Sequence, residues 1–130
     1  MKNLPRINVT AGILRKGEEV LLAQRAEEKY AGLWEFPGGK IESGESPESC
    51  LQRELAEELA INCEVGEKFH VSEWRRDDKI IVLHTFWISS FSEEPRPLVH
   101  SALKWVALNK LRKEELLPAD RPLVDLLQSL

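Results

Sequence analysis

The chain has 130 residues, 42% hydrophobic and 31% charged, with a net charge of −4. That is length for one domain with a buried core, expected to span residues 1–130, and the composition is globular rather than disordered. An acidic balance argues against a nucleic-acid polymer as partner, because such binders present a basic face.

In chain order, MKNLPRINVT lacks the apolar run of a signal peptide, and no later run reaches membrane length. The expectation is therefore the cytoplasm, with no membrane partner. Residues 7–14 and 19–25 are β-rich and are separated by Arg15, Lys16, Gly17 and Glu18, which predicts a hairpin with a glycine turn. Residues 26–33 are polar and predict a loop. Trp34, Glu35 and Phe36 predict a short extended piece that ends at Pro37, Gly38 and Gly39, where backbone can approach a ligand closely. Ser46 is a good N-cap and Pro47 is tolerated at the first helical position, so a helix opens there. Leu51, Leu55 and Leu59 give it a buried stripe. Glu54, Glu57 and Glu58 stack on one face about 110° from that stripe, at the i, i+3, i+4 spacing. Three bare carboxylates so placed repel one another, and the natural partner that offsets this is a hard divalent cation with oxygen ligands. A metal-bearing helix after a glycine loop suggests chemistry on phosphates.

Further along, residues 67–75 and 79–88 predict two strands around Arg76, Asp77 and Asp78. Residues 89–100 predict a loop, 103–108 a strand, 109–117 a short helix, and 120–130 a last helix carrying Leu123, Leu126, Leu127 and Leu130. Strands come both as hairpins and interleaved with helices, which predicts an α/β (α+β) fold with a mixed sheet and helices packed on it. Cys50 and Cys63 have no metal-ligand or CxxC spacing and read as buried reduced thiols. The histidines His70, His84 and His100 have no spacing that marks a site.

Gly39, five residues, Glu45, seven residues, and then Arg53 through Ile61 (RELAEELAI) resemble the Nudix box: Gly, five any, Glu, seven any, Arg-Glu, an aliphatic, any, Glu-Glu, any, Gly, an aliphatic. Every fixed position matches except Ala60, which stands where the pattern has glycine. Residues 35–42 (EFPGGKIE) resemble the lead into the box of MutT-type enzymes, and residues 117–120 (LPAD) resemble their base-contacting segment. Residues 22–25 (LAQR), 31–36 (AGLWEF) and 118–120 (PAD) look closest to the CTP pyrophosphohydrolase branch of that group. The resemblance covers nearly the whole chain. It implies the Nudix α/β/α sandwich, with a mixed β-sheet between helices, and a Mg²⁺-dependent pyrophosphohydrolase.

By the same resemblance, Glu54, Glu57 and Glu58 hold Mg²⁺, or Mn²⁺ in its place, with the backbone carbonyl of Gly38. Arg53 orients the neighbouring carboxylates, with Glu45 as its partner or as an outer metal ligand, and Glu54 or Glu57 takes the proton of the attacking water. Two departures matter. Alanine at position 60 costs on the order of 1 kcal/mol if that position needs a positive φ, or Asn62 takes over the turn; a shifted helix end is expected. Alignment on Trp105 puts Val99 where MutT-type enzymes often place a further glutamate, which leaves His100, Glu93 or Glu94 as substitutes.

At the nucleoside end, Arg25 and Lys79 match basic positions of the relatives, with Arg75 a weaker candidate. Trp34 and Phe36 are candidates for stacking on a base, one of the two being core; Gly39 lies beside them as a substrate contact. Asp120 corresponds to a base-reading position and equally could N-cap the last helix. As an acceptor it would suit guanine, 8-oxoguanine or cytosine and oppose uracil and thymine. The expected substrate is a small-molecule nucleotide, a (d)NTP such as 8-oxo-dGTP, CTP or modified dCTP, hydrolysed to NMP and pyrophosphate by a monomer or weak homodimer. The rival readings are hydrolysis of another nucleoside diphosphate derivative and a silent nucleotide-sensing domain.

Overall fold

A computed structural model describes residues 3–27 and 29–130. In chain order it contains β1 (Arg6–Ile13), β2 (Arg15–Lys16), β3 (Glu19–Gln24), β4 (Trp34–Glu35), α1 (Pro47–Leu59), β5 (Cys63–Arg75), β6 (Ile80–Phe91), β7 (Ala102–Ala107) and α2 (Pro122–Gln128). Short 3₁₀ turns at Leu108–Lys110, Lys113–Glu115 and Pro118–Asp120 fill the stretch between β7 and α2. One sheet runs β1-β6-β5, with β1 parallel and β5 antiparallel to β6. In the other, β3 pairs along its length with β7 and near its two ends with β2 and β4, all antiparallel. This is the mixed α+β architecture that the sequence predicts. No helix among the described residues is long and apolar enough to cross a membrane.

Successive strand residues point to opposite faces, so each sheet feeds two cores. Leu14, Leu21, Phe86 and Ile88 pack with Leu51, Leu55 and Leu59 of α1. Ile13, Val20, Leu22 and Leu83 pack on the other side with Leu123, Val124 and Leu127 of α2. Each fully buried leucine of α1 stabilises this arrangement by about 2 kcal/mol. The helix starts where its sequence says it should: the Ser46 Oγ accepts from Ser49 N at 3.1 Å, and the Ser49 Oγ accepts from Ser46 N at 3.1 Å.

Several expectations change. The hairpin predicted from residues 7–14 and 19–25 survives only as Arg15 and Lys16 against Val20 and Glu19, around Gly17 at φ +58°. The body of β1 cannot pair with β3 because both of its edges are taken. β6 lies on one side. On the other, Thr10 N donates to Gly39 O (2.8 Å), Gly12 N to Pro37 O (2.7 Å), and Ile41 N to Asn8 O (2.9 Å). The helix predicted at 109–117 is replaced by 3₁₀ turns. A continuous helix would turn Leu116 about 140° away from Leu111, and both side chains are buried in the same core. The last helix is shorter than predicted, and Leu126 and Leu130 are exposed. Of the thiols, Cys50 is buried, Cys63 half-buried, and both are free.

The end of α1 is not shifted. Ala60 itself adopts the left-handed conformation, φ +59° and ψ +39°, and its N–H donates to Ala56 O. An L side chain there is strained. Ala60→Gly is therefore expected to raise unfolding stability by about 1 kcal/mol, read as a shift in urea midpoint at unchanged slope.

Candidate active site

The segment from Pro37 to Ile41 lies along β1 and delivers two glycines to the mouth of a cleft of about 770 Å³. A Cβ on Gly38 would fall 2.1 Å from the Thr10 carbonyl oxygen, and one on Gly39 would fall 2.3 Å from the Glu54 carboxyl carbon. At Gly38 glycine is thus required by contact with backbone rather than by φ, whereas at Gly39 the contact is with the movable end of a side chain. The carbonyls of Pro37 and Gly39 are consumed by β1, whereas that of Gly38 has no backbone donor among the described residues. The Thr10 hydroxyl donates to Gly39 O at 3.1 Å and steadies the turn.

Opposite the turn, α1 presents its acidic face to the cleft through Glu54, Glu57 and Glu58. Arg53 organises this face. Its Nε and Nη2 donate to the two Glu45 carboxylate oxygens at 2.6 and 2.9 Å, and its Nη1 donates to Glu54 at 2.9 Å and Glu57 at 3.3 Å. The Arg53 bonds, then the backbone N–H of Glu42, hold the Glu45 carboxyl down at about 2. With both oxygens engaged, Glu45 is the partner of Arg53. Glu58 behaves oppositely. Burial, then its contact with Glu54, then the charges of Glu35 and Glu57, push its carboxyl up to about 10.

Such a cluster fits a hard divalent cation. The donors are oxygens, and the like charges that add to burial in pushing the Glu58 carboxyl up are what a cation would offset. Among the described residues, no three His, Cys, Asp or Glu side chains yet close around one point. Glu57 is turned to Arg53 and is 61% exposed, so a rotamer change is what would complete the set.

At the other end of the cleft lies Asp120, 5% exposed. Its Oδ2 accepts from Phe36 N at 2.9 Å, and it makes no cap on α2. The capping role is thereby replaced by a tie between the segment before α2 and β4. Burial first, then the charge of Glu35, push the Asp120 carboxyl up to about 8, against the Phe36 bond and the Arg25 charge. An ionised carboxylate here offers acceptors only, and the burial that pushes the carboxyl up favours the protonated form, which adds an O–H donor. Between the two ends, Glu35 takes Arg25 Nη1 at 3.3 Å on one oxygen and lies 2.8 Å from His100 Nε2 through the other.

Of the remaining predicted contacts, Arg25 and Phe36 line the cleft, Phe36 as a core residue only 3% exposed. Trp34 and Lys79 are not on it. Trp34 packs against the core with Lys104 Nζ 4.1 Å over its ring. Lys79 sits at the tip of the β5–β6 hairpin, where its carbonyl accepts from Arg76 N. Arg76 and Trp74 line the cleft instead, the guanidinium 5.3 Å from the ring centre. Arg75, between them, borders a separate small pocket on the other face, and strand alternation could have identified the pair. Val99 is exposed at the cleft mouth. Glu94 is held by Lys16 and Trp105 and Glu93 is exposed; neither lines the cleft, whereas His100 does.

The chain is similar over nearly its whole length to known proteins. The NUDIX domain family matches residues 4–127. The CTP pyrophosphohydrolase of Escherichia coli is 39% identical over 125 residues, covering 95% of this chain and 93% of the relative. The 8-oxo-dGTP diphosphatase of Escherichia coli is 31% identical over 129 residues, covering 98% and 100%. The crystal structure of the MutT NUDIX hydrolase from Burkholderia pseudomallei superposes with a TM-score of 0.84 at 29% identity, covering 92% of this chain and 96% of that one.

Proposed function

The chain belongs to the NUDIX domain family and is a hydrolase of the MutT type, and from that premise we propose that it cleaves a (d)NTP to NMP and pyrophosphate with Mg²⁺ bound. One observation carries the reading: a single cleft joins the acidic face of α1 and the glycine turn at one end to the buried Asp120 at the other. A triphosphate would lie toward the first and a base toward the second.

Glu54, Glu57, Glu58 and the Gly38 carbonyl would hold the metal. When bound, Mg²⁺ neutralises phosphate charge and lowers the pKa of water. The protein's own groups do the rest. Arg53 fixes Glu54 and Glu57 while Glu45 fixes Arg53. Glu57, the most exposed of the three carboxylates, is the group placed to take the proton of the attacking water. A new bond forms from water oxygen to phosphorus, the bridging P–O bond breaks, and pyrophosphate leaves. The gap at Val99 then removes no required proton acceptor.

For the base, a protonated Asp120 offers one donor and one acceptor. That matches the cytosine edge, whose N3 accepts and whose N4–H₂ donates. CTP or a modified dCTP is therefore the first substrate class at neutral pH, and 8-oxo-dGTP, which presents N1–H and N2–H₂, suits the ionised form. Pyrophosphate release from CTP, dCTP, dGTP and 8-oxo-dGTP at pH 7 and pH 9 tests this. Wild type should lose about tenfold of its cytosine-over-guanine preference at the higher pH, whereas Asp120→Asn, which always offers a donor and an acceptor, should keep it. Ratios that stay fixed in both proteins would remove Asp120 from base reading. Retained binding with no turnover of any nucleotide would replace the hydrolase with a sensor.

A further inference from the structure

The segment between β6 and β7 does more than connect two strands. Arg96 N donates to Leu59 O at 2.9 Å and Leu98 N to Glu58 O at 3.0 Å, so two of the last carbonyls of α1 are capped by this loop. On its other side, Ser101 N donates to Gln24 O at 3.0 Å in β3. His100 lies between these anchors, its side chain 7% exposed, on the wall of the cleft. The Nε2 atom is 2.8 Å from Glu35 Oε2 and 3.8 Å from Glu58 Oε1. The Nδ1 atom is buried without a hydrogen-bond partner. In the Nε2–H tautomer the ring donates to Glu35 and lies beside the metal-end carboxylate, while Nδ1 is left as a buried acceptor without a donor.

Glu35 is flanked by two other carboxyl groups, Glu58 and Asp120. Its charge acts on Glu58 on one side and on Asp120 on the other. Arg25 holds one of its oxygens, but Arg25 also pairs with Glu27 at 2.8 Å. A second donor from a rigidly anchored loop is what would keep this carboxylate from swinging into the space a substrate needs.

We propose that His100 is a positioning residue: it fixes the Glu35 carboxylate between the base end and the metal end of the cleft, so that one imidazole sets the spacing of both. This deepens the proposed hydrolysis and rests on it.

The experiment is a double-mutant cycle of His100→Phe and Glu35→Gln, with His100→Gln as the variant that keeps a donor. Steady-state CTP hydrolysis and Mn²⁺ binding by electron paramagnetic resonance are both measured. His100→Phe should lower kcat/KM and weaken Mn²⁺ binding, each by roughly 10-fold or more, and His100→Gln should recover most of both. On the Glu35→Gln background, His100→Phe should cost less than about twofold further, because the group it acts through is already changed. Effects that multiply across the cycle, or equal losses in His100→Phe and His100→Gln, would overturn the proposal. Should His100→Phe not fold, His100→Ala carries the same comparison. If wild type hydrolyses no nucleotide, the proposed function fails by itself, and the Mn²⁺ titrations still decide the role of His100.

Discussion

Glu57→Gln is expected to lower kcat/KM for the preferred nucleotide by about a thousandfold or more while leaving the melting temperature within a few degrees. The substitution keeps size and removes one negative charge from the group of Glu54, Glu57 and Glu58 on the cleft wall. A bound divalent cation supplies several kcal/mol of transition-state charge stabilisation, and about 4 kcal/mol corresponds to a factor of a thousand. Under the proposed mechanism Glu57 also accepts the proton of water, so the amide would forfeit both contributions. Stability should hardly change, because Glu57 is exposed and its bond to Arg53 is the longest of the Arg53 side-chain contacts with Glu45, Glu54 and Glu57. Pyrophosphate release against Mg²⁺ concentration, alongside thermal melting, checks both halves. Full activity in Glu57→Gln would remove this residue from the metal set.

Gly38→Ala should act on the fold rather than on the chemistry alone. A methyl group at this position would stand 2.1 Å from the Thr10 oxygen, 2.7 Å from its carbonyl carbon and 2.9 Å from Ala11 Cα. All three are backbone atoms of β1, which is held on its far side by β6. Neither strand can yield, so the segment from Pro37 to Ile41 must lift away and surrender its three hydrogen bonds to β1. The expected loss is about 3 kcal/mol or more in urea unfolding, with the site's activity lost in parallel. Gly39→Ala offers the contrast. Its added methyl meets the movable end of the Glu54 side chain, so activity should fall well before stability does. Equal destabilisation by the two substitutions would contradict this division.

Those two glycines and the acidic face of α1 were legible in the sequence because their relationships are local. Glu54, Glu57 and Glu58 meet by helical spacing, Arg53 and Glu45 lie within one turn-and-helix unit, and Ser46 announces where the helix begins. The nucleoside end was less legible because its relationships are long-range. Trp34 and Lys79 looked like contacts by residue type, but pairing of β4 with β3 and the tip of the β5–β6 hairpin place them off the cleft. Asp120 read equally as a cap or a base reader until its bond to Phe36, 84 residues away, was seen. Burial, which no local pattern announces, pushes its carboxyl up and so bears on the base it would suit. His100 had no spacing to mark it, since its neighbours Glu35 and Glu58 are brought together only by the fold. The β1–β3 hairpin failed for a similar reason: local turn chemistry around Gly17 is sound, but β1 had stronger claims on both edges.

That double claim on β1 has a consequence for how the cleft breathes. A strand whose amides and carbonyls are engaged on both sides opens only with the sheet around it, and its amides should be among the last to exchange with solvent. The glycine turn is fastened directly to that strand, so this wall of the cleft should open only as slowly as the sheet does. The facing wall of Trp74 and Arg76 lies beside a hairpin tip, where opening is easiest. The cleft thus joins an unyielding surface to a compliant one, and under the proposed function the hairpin is the wall expected to adjust to different bases while the glycine turn keeps its place.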